Sequence, residues 1–256
     1  MFLFLLAHFV IIFLLLIMYN NFIMKISIKN IFSILLFCLF SFINAQTYTL
    51  KFRTNLGNFE AILYDFTPKH RDLILSEIKK GTYKNAEFNR VIKDFVIQGG
   101  ELDEPILERE AKNPEQPILR VDPEFNPNAF HKIGALGAGR DNNPTKSSYF
   151  NQIYIVVGKP VNDLDLENLE LKKGIKFTTK QKEEYLKNGG LPRLDNDYTV
   201  FGEITKGLDI ALKISEVKTN KNDNPITPVI FNIKIKKNQT SLNKRTYISV
   251  GTGFTH

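Results

Sequence analysis

Two polar side chains interrupt an otherwise apolar stretch at residues 88 to 101, FNRVIKDFVIQGGE. Arg90 brings a permanent charge on a planar fork of donors, and Gln98 brings an amide that both donates and accepts. If the stretch folds as an antiparallel hairpin, directly opposed residues share a face. Opposing Arg90 and Gln98 requires an odd-length connection, for instance with Val91 opposite Ile97; a two-residue Lys93-Asp94 turn would put the pair on opposite faces. Under the odd-loop register both polar heads emerge beside the loop aromatic Phe95. An arginine, an amide and an aromatic converging on one surface suit recognition of a peptide backbone next to an apolar ring. The alternative is an Arg and a Gln exposed on a wet sheet face.

Other chemistry is poorly supplied. The four histidines, His8, His70, His131 and His256, include no two at metal-ligand spacing. Cys38 is the single cysteine, and it lies in the apolar leader described below. Disulfides, a thiol nucleophile and Cys-ligated zinc are therefore not expected of the exported part. No G-x-S-x-G elbow, P-loop or G-x-G-x-x-G after a strand occurs. GALGAG at 134 to 139 falls inside an expected strand, where close backbone packing explains it better than phosphate cradling. Hydrolysis, phosphoryl transfer and redox chemistry all lack their usual apparatus.

The chain has 256 residues, 43% hydrophobic and 24% charged, and its apolar excess is concentrated before residue 46. Residues 1 to 17 are almost unbroken Leu, Phe and Ile, and a second apolar run, IFSILLFCLFSF, covers 31 to 42. Met24, Lys25 and Lys29 precede that second run, and INA at 43 to 45 ends it in a small residue. This order of charge, apolar run and small residue is that of a cleaved secretory signal, which puts translation start at Met24 and cleavage after Ala45. A membrane span over 1 to 18 competes with it, since about 17 residues is the minimum for crossing a bilayer. Residues 1 to 23 are then either an upstream mis-start or that span. The formal net charge of +7 falls to +5 without Lys25 and Lys29. The remaining lysines are interspersed with Asp and Glu, as on a solvated surface, and no nucleic-acid groove is expected.

From residue 47 the chain reads as eight short β segments: YTLKF, NFEAILY, EFNRVI, FVIQ, HKIGALGAG, QIYIVV, YTVFGEI and VIFNIKIKK. With few long helical patterns between them, they predict one closed antiparallel barrel or a sandwich. Their bulky inward residues would fill an eight-stranded barrel, which argues against a ligand carried inside it. Two amphipathic helices are written between the strands. The first has Thr67 as N-cap, Pro68 at its first position, Leu73, Ile74 and Ile78 at helical spacing and a stop at Gly81. The second runs from about Leu208 to Val217 with Ile210, Leu212 and Ile214 as its apolar side. Residues 162 to 190 read as an insertion, where Thr178 and Gln181 form a capping box for a helix ending at Asn188. It has too few apolar residues to build a core of its own. Residues 238 to 256 are polar, without period, and expected to fray.

FNRVIKDFVIQGGE resembles the central motif of the cyclophilin-type peptidyl-prolyl cis-trans isomerases, F-H-R-V-I, a short loop, then F-M-I-Q-G-G-D. TNLGNFEAILYDFTPKHRDLILSEIKKGTY resembles that family's opening hairpin and helix, FHKIGALGAG its next strand, NQIYIVVG its S-Q-F-F-I segment, and LPRLDNDYTVFGEITKGLDIALKI its L-D-x-x-x-V-F-G segment. The blocks keep family order over residues 48 to 236. The resemblance implies a mainly β fold: a closed eight-stranded antiparallel barrel capped by two helices, here with a helical insertion, in a domain spanning 46 to 237.

It also implies roles. Arg90 would hydrogen-bond the substrate near the prolyl nitrogen and Gln98 would hold the substrate backbone. Phe95, Val96 and Tyr154 would line the proline pocket, and Gly139 and Gln152 the neighbouring groove. Val96 stands for the usual Met, Tyr154 for Phe, Tyr198 for a frequent His and Arg140 for Asn, while Arg193 falls at or next to a frequent Trp; the rim is bulkier. No cofactor or metal is implied, because bond rotation needs neither. The implied partners are proline-containing unfolded polypeptides, met by a monomer in the periplasm or outside the cell, with membrane contact only through an uncleaved leader. A catalytically weak peptide-binding or chaperone module using the same groove is the runner-up.

Overall fold

The structure, a computed structural model, describes residues 48–236. The leader, its cleavage site and the tail from 238 lie outside the described residues. Nine strands form one antiparallel sheet: β1 (Thr49–Thr54), β2 (Gly57–Leu63), β3 (Ala86–Glu87), β4 (Arg90–Ile92), β5 (Val96–Gly99), β6 (Ala135–Ala138), β7 (Ile153–Val156), β8 (Val200–Lys206) and β9 (Ile230–Lys236). Their spatial order is β3-β9-β1-β2-β8-β6-β7-β5-β4.

The expected closed eight-stranded barrel is thus corrected to an open nine-stranded sheet. The extra strand arises because EFNRVI, one segment in the sequence reading, changes partner in its middle. Ala86 and Glu87 pair with β9, whereas Arg90 to Ile92 pair with β5. Between them Phe88 is buried and donates its N–H to Val229 (2.9 Å), and the Asn89 amide donates to the Gly100 carbonyl (2.6 Å). No ladder joins the two edge strands; the chain itself crosses from one to the other.

Alternation along the strands decides which side is core. Leu50 and Phe52, Phe59, Ala61 and Leu63, Ile97, Leu136 and Ala138, Ile153 and Ile155, and Phe231 and Ile233 all point into one cluster. Aromatic rings fill its centre: Phe52 stacks on Phe59 at 4.4 Å between centroids, and Phe88 on Phe231 at 4.3 Å. The intervening residues, Val96 and Gln98 on β5 and Tyr154 and Val156 on β7, face the other way. Val96, Tyr154 and Val156 form a second buried cluster with Leu194 and Val200. The site lies on that outer side.

Among the described residues five helices accompany the sheet, where the sequence reading had two and a third in the insertion: α1 (Pro68–Lys80), α2 (Asp103–Lys112), α3 (Asp163–Lys173), α4 (Thr179–Asn188) and α5 (Leu208–Ser215), with a 3₁₀ turn at Pro192–Leu194. α1 stops as expected at Gly81, whose φ of 87° is the left-handed conformation glycine adopts freely. Thr67 occupies the N-cap position, but its hydroxyl donates to the Tyr64 carbonyl. The orphan N–H groups of Lys69 and His70 are instead taken by the Glu124 carboxylate, at 3.0 and 2.9 Å. In α5 the expected apolar side is also corrected. Positions 210, 212 and 214 are two apart and cannot share one helix face; Ala211, Ile214 and Ser215 are buried and Leu212 is exposed.

α2 has no counterpart in the sequence reading, because Pro105 stands in its first turn and only Ile106 is buried. In the insertion α4 follows its capping box, with Thr178 and Gln181 satisfying each other's backbone N–H. α3 carries a second box, Asn162 with Asp165. The insertion does bury something: Leu166, Phe177 and Tyr185 pack around Phe130. It completes its small cluster with a side chain borrowed from the segment before β6.

Candidate active site

The β4–β5 hairpin takes the odd-loop register. Arg90 pairs with Gln98, Val91 with Ile97 and Ile92 with Val96, leaving Lys93, Asp94 and Phe95 as the loop. Asp94, the middle loop residue, takes the left-handed conformation, φ 59°, as the third position of a turn closed by the Phe95 N–H on the Ile92 carbonyl at 3.2 Å. Both polar heads therefore emerge on the outer side. Arg90 Nη1 lies 3.4 Å from Gln98 Oε1, and Arg90 Nε lies 3.9 Å from the Asp223 carboxylate. Arg90 is partly exposed, while Gln98 is buried at 8%.

Arg90, Phe95, Val96, Gln98, Gly139, Gln152, Tyr154 and Tyr198 line one cavity of about 720 Å³. Arg193 is the exception among the candidate residues. It is exposed and does not line the wall; its guanidinium stacks on the ring of Phe95 at 4.6 Å. Arg140 stacks likewise on Tyr198 at 4.7 Å and is held by its Nε–H to the Asp197 carbonyl (2.6 Å). Two aromatic rings of the groove thus carry a guanidinium each.

Gln152 is fixed from behind. Its Nε2 donates to the Glu101 carbonyl (3.0 Å) and to the Asp103 carboxylate (2.6 Å). Tyr154, buried, meets Tyr198 edge-on with centroids 6.2 Å apart, and its hydroxyl lies 2.7 Å from His131 Nε2. Burial pushes the Tyr154 hydroxyl well above its ordinary pKa, with Tyr198 and Asp195 adding to the rise, so it stays protonated at neutral pH.

Leu102, Asp103, Glu104, Leu194, Asn222 and Asn224 line the same cavity and are absent from the sequence-based set. Asn222 and Asn224 belong to a turn whose Asn220 side chain accepts from both their N–H groups, and Asn224 donates to the Asn89 carbonyl. The cluster TNKNDNP was readable as a turn, but nothing local said that it borders Arg90. Residues 102 to 104 come to the groove only because α2 follows Gly99 and Gly100 directly.

Elsewhere Ser148, His70 and Glu124 stand in a line, with Nε2 3.1 Å from the serine oxygen and Nδ1 2.7 Å from the carboxylate. Ser148 is fully buried and no substrate reaches it. This set anchors α1 and is not a nucleophilic site. Among the described residues no three His, Cys, Asp or Glu side chains converge to hold a metal ion.

Residues 49–237 match the family described as cyclophilin type peptidyl-prolyl cis-trans isomerase/CLD. A protein of Staphylococcus saprophyticus assigned as a peptidyl-prolyl cis-trans isomerase is 30% identical over 185 residues, covering 72% of this chain and 89% of that protein. One from Staphylococcus aureus, assigned likewise, is 31% identical over 181 residues, 70% of this chain and 86% of its own. Among solved structures, a cyclophilin-type isomerase of Cryptosporidium parvum superposes with a TM-score of 0.52 at 20% identity, over 75% of this chain and 99% of that one. The same protein crystallised in the presence of the dipeptide Ala-Pro gives the same TM-score. That likeness concerns the fold, whereas the family match spans the hairpin, the groove and α5 and the staphylococcal relatives are matched over most of their own length: the chain belongs to the cyclophilin-type peptidyl-prolyl cis-trans isomerases.

Proposed function

We propose that this isomerase turns X-Pro bonds of exported polypeptides in the groove between Arg90 and Tyr198. The barrier to peptide rotation is roughly 18 to 20 kcal/mol because the nitrogen lone pair is delocalised into the carbonyl. A site that binds the twisted amide better than the planar one lowers it. Arg90 presents its donors to the prolyl nitrogen and engages the lone pair that localises there as the bond twists. Gln98 spends its amide oxygen on Arg90, which aims the guanidinium, and offers its N–H₂ to a substrate carbonyl. Phe95, Val96 and Tyr154 receive the proline ring, and Gly139 and Gln152 border the chain on the next side.

The observation that carries this reading is the convergence of Arg90, Phe95 and Gln98 on one open cavity. A fold neighbour crystallised in the presence of the dipeptide Ala-Pro is in keeping with the same class of ligand. A protease-coupled assay on a proline peptide tests it: Arg90→Ala should lose most of the catalysis, and a wild type no faster than Arg90→Ala would overturn it. A weakly catalytic peptide-binding module is favoured by one feature, the guanidiniums lying on Phe95 and Tyr198. Peptide affinity that survives Arg90→Ala without turnover in the wild type would select that reading.

The exported part of the proposal rests on the order of lysines, apolar run and INA at residues 25 to 45. On this reading the domain works in the periplasm or outside the cell. N-terminal sequencing of the purified protein should begin at Gln46; an intact residue 1 would instead indicate a retained membrane anchor.

A further inference from the structure

The hydroxyl of Tyr154 starts a buried chain of hydrogen bonds that ends in the insertion. Tyr154 Oη is 2.7 Å from His131 Nε2, and His131 Nδ1 is 2.6 Å from Asp195 Oδ1, which also accepts the His131 backbone N–H at 2.9 Å. The other carboxylate oxygen, Asp195 Oδ2, accepts from the hydroxyl of Tyr185 on α4 at 2.6 Å. All four side chains are buried: Tyr185 fully, His131 at 1%, Tyr154 at 4% and Asp195 at 5%.

The direction of each bond follows from what each group can do. A carboxylate only accepts, so it takes the Nδ1 proton and the Tyr185 proton, and in the neutral imidazole Nε2 is then the acceptor. Tyr154 must therefore donate to His131, which turns its hydroxyl away from the cavity and fixes the ring. The space for that hydroxyl is built in: a β-carbon on Gly137, across the β6–β7 ladder, would lie 2.3 Å from it. Gly190 similarly clears Tyr185, whose ring would meet a β-carbon there at 2.8 Å. A second tie joins the insertion to the same wall, where Lys173 of α3 donates to the Arg193 carbonyl (3.0 Å) and pairs with Asp197 (2.8 Å).

We propose that Tyr185, Asp195 and His131 are positioning residues for Tyr154, through which the 162–190 insertion sets the shape of the proline-binding wall. The proposal rests on the reading of Tyr154 as part of that wall. Its chemistry is specific to a tyrosine there, since a phenyl ring has nothing to donate to His131. Because the wall touches the proline ring in both the planar and twisted states, loosening it removes uniform binding, which raises KM and leaves kcat nearly unchanged.

The test is a double-mutant cycle of Tyr185→Phe and Tyr154→Phe, each removing one hydroxyl and nothing else. Each single variant should raise KM for a proline peptide about two- to tenfold, the range of one buried hydrogen bond, with kcat within about twofold by the same reasoning. The double variant should match Tyr154→Phe, because without the Tyr154 hydroxyl Tyr185 has nothing left to position. Effects that multiply, or a Tyr185→Phe with unchanged KM, overturn the proposal; a merely structural Tyr185 would lower the melting temperature equally in both backgrounds and leave KM alone. The same cycle read as peptide Kd decides the matter if the wild type shows no turnover, an outcome that would count against the enzymatic reading instead.

Discussion

A β-carbon on Gly139 would lie 1.8 Å from the Oε1 of Gln152. Gln152 is buried and tethered to Glu101 and Asp103, so it cannot swing aside cheaply. Gly139→Ala is expected to lower stability by about 1 to 3 kcal/mol, as overpacking does, and to reduce kcat/KM by displacing an amide that lines the cavity. Denaturant unfolding and the coupled assay read the two effects. A variant with an unchanged midpoint and full activity would mean that this contact is not tight in solution.

Arg90→Lys keeps the charge and loses the fork. With only a point charge facing the substrate, kcat/KM should fall by about 10²-fold, while the melting temperature changes little because Arg90 is partly exposed. Asp223→Asn provides the contrast. Its carboxylate is 3.9 Å from Arg90 and both partners are more than a third exposed, so the loss should stay below about 1 kcal/mol, less than about sixfold in rate. If Asp223→Asn is as damaging as Arg90→Lys, the guanidinium is held by Asp223 and not by Gln98.

Stability should decline on mild acidification through His70. Burial lowers its pKa from the ordinary 6.5, against the opposing pull of Glu124. The unfolded chain therefore takes up the proton first, and the contribution of neutral His70 is complete above about pH 6.5 and is lost as the pH falls from there through the lower folded value. Glu101 and Asp197 act in the same direction at more acidic pH. Burial raises both, but hydrogen bonds, from Arg109 and Asn151 to the first and from Lys146 and Lys173 to the second, bring them below the usual carboxylate range. His70→Gln should flatten the limb that begins below about pH 6.5 and leave the more acidic one. A stability profile with the upper limb intact in that variant would assign it to another group.

Arg120 ties α2 to the groove wall. It donates to Glu110 of α2 (3.0 Å) and to Asp141 (3.0 Å), and its guanidinium lies 4.4 Å from the Tyr149 ring centre. Arg120→Ala leaves two partly buried carboxylates uncompensated, which should cost about 1 to 3 kcal/mol. It should also speed amide exchange over 103 to 112 and raise KM, since Leu102, Asp103 and Glu104 line the cavity. Exchange rates unchanged in that helix would show that α2 is held without Arg120, by Ile106 and the Gln152–Asp103 hydrogen bond.

The strands, α1, α4 and the Arg90–Gln98 register were legible because each depends on neighbours close in sequence: alternation, caps, and the parity of one loop. Other parts depend on distant partners. The split of EFNRVI is decided by β9 and Val229, far along the chain, and no local pattern marks Phe88 as the point of exchange. The cap of α1 comes from Glu124, not from Thr67, because a carboxylate arriving from another loop is a stronger acceptor for two N–H groups than one hydroxyl. In the site, Arg90, Phe95, Val96, Gln98, Gly139, Gln152, Tyr154 and Tyr198 share one cavity, but Arg193 acts on it only through Phe95. No sequence pattern supplied His131 with a partner; the two it has, Asp195 and Tyr154, are 64 and 23 residues away.

The pairing of β1 with β9 joins the two ends of the domain, Thr49 opposite Lys236. On a ribosome, the free edge of β1 has no partner until β9 has emerged, so this sheet cannot be finished before residues 230 to 236 are made. The nascent domain stays open until then and is exposed to aggregation meanwhile. The same adjacency makes the domain a candidate for circular permutation: new termini cut into an exposed turn, with β9 linked to β1, would leave every ladder in place.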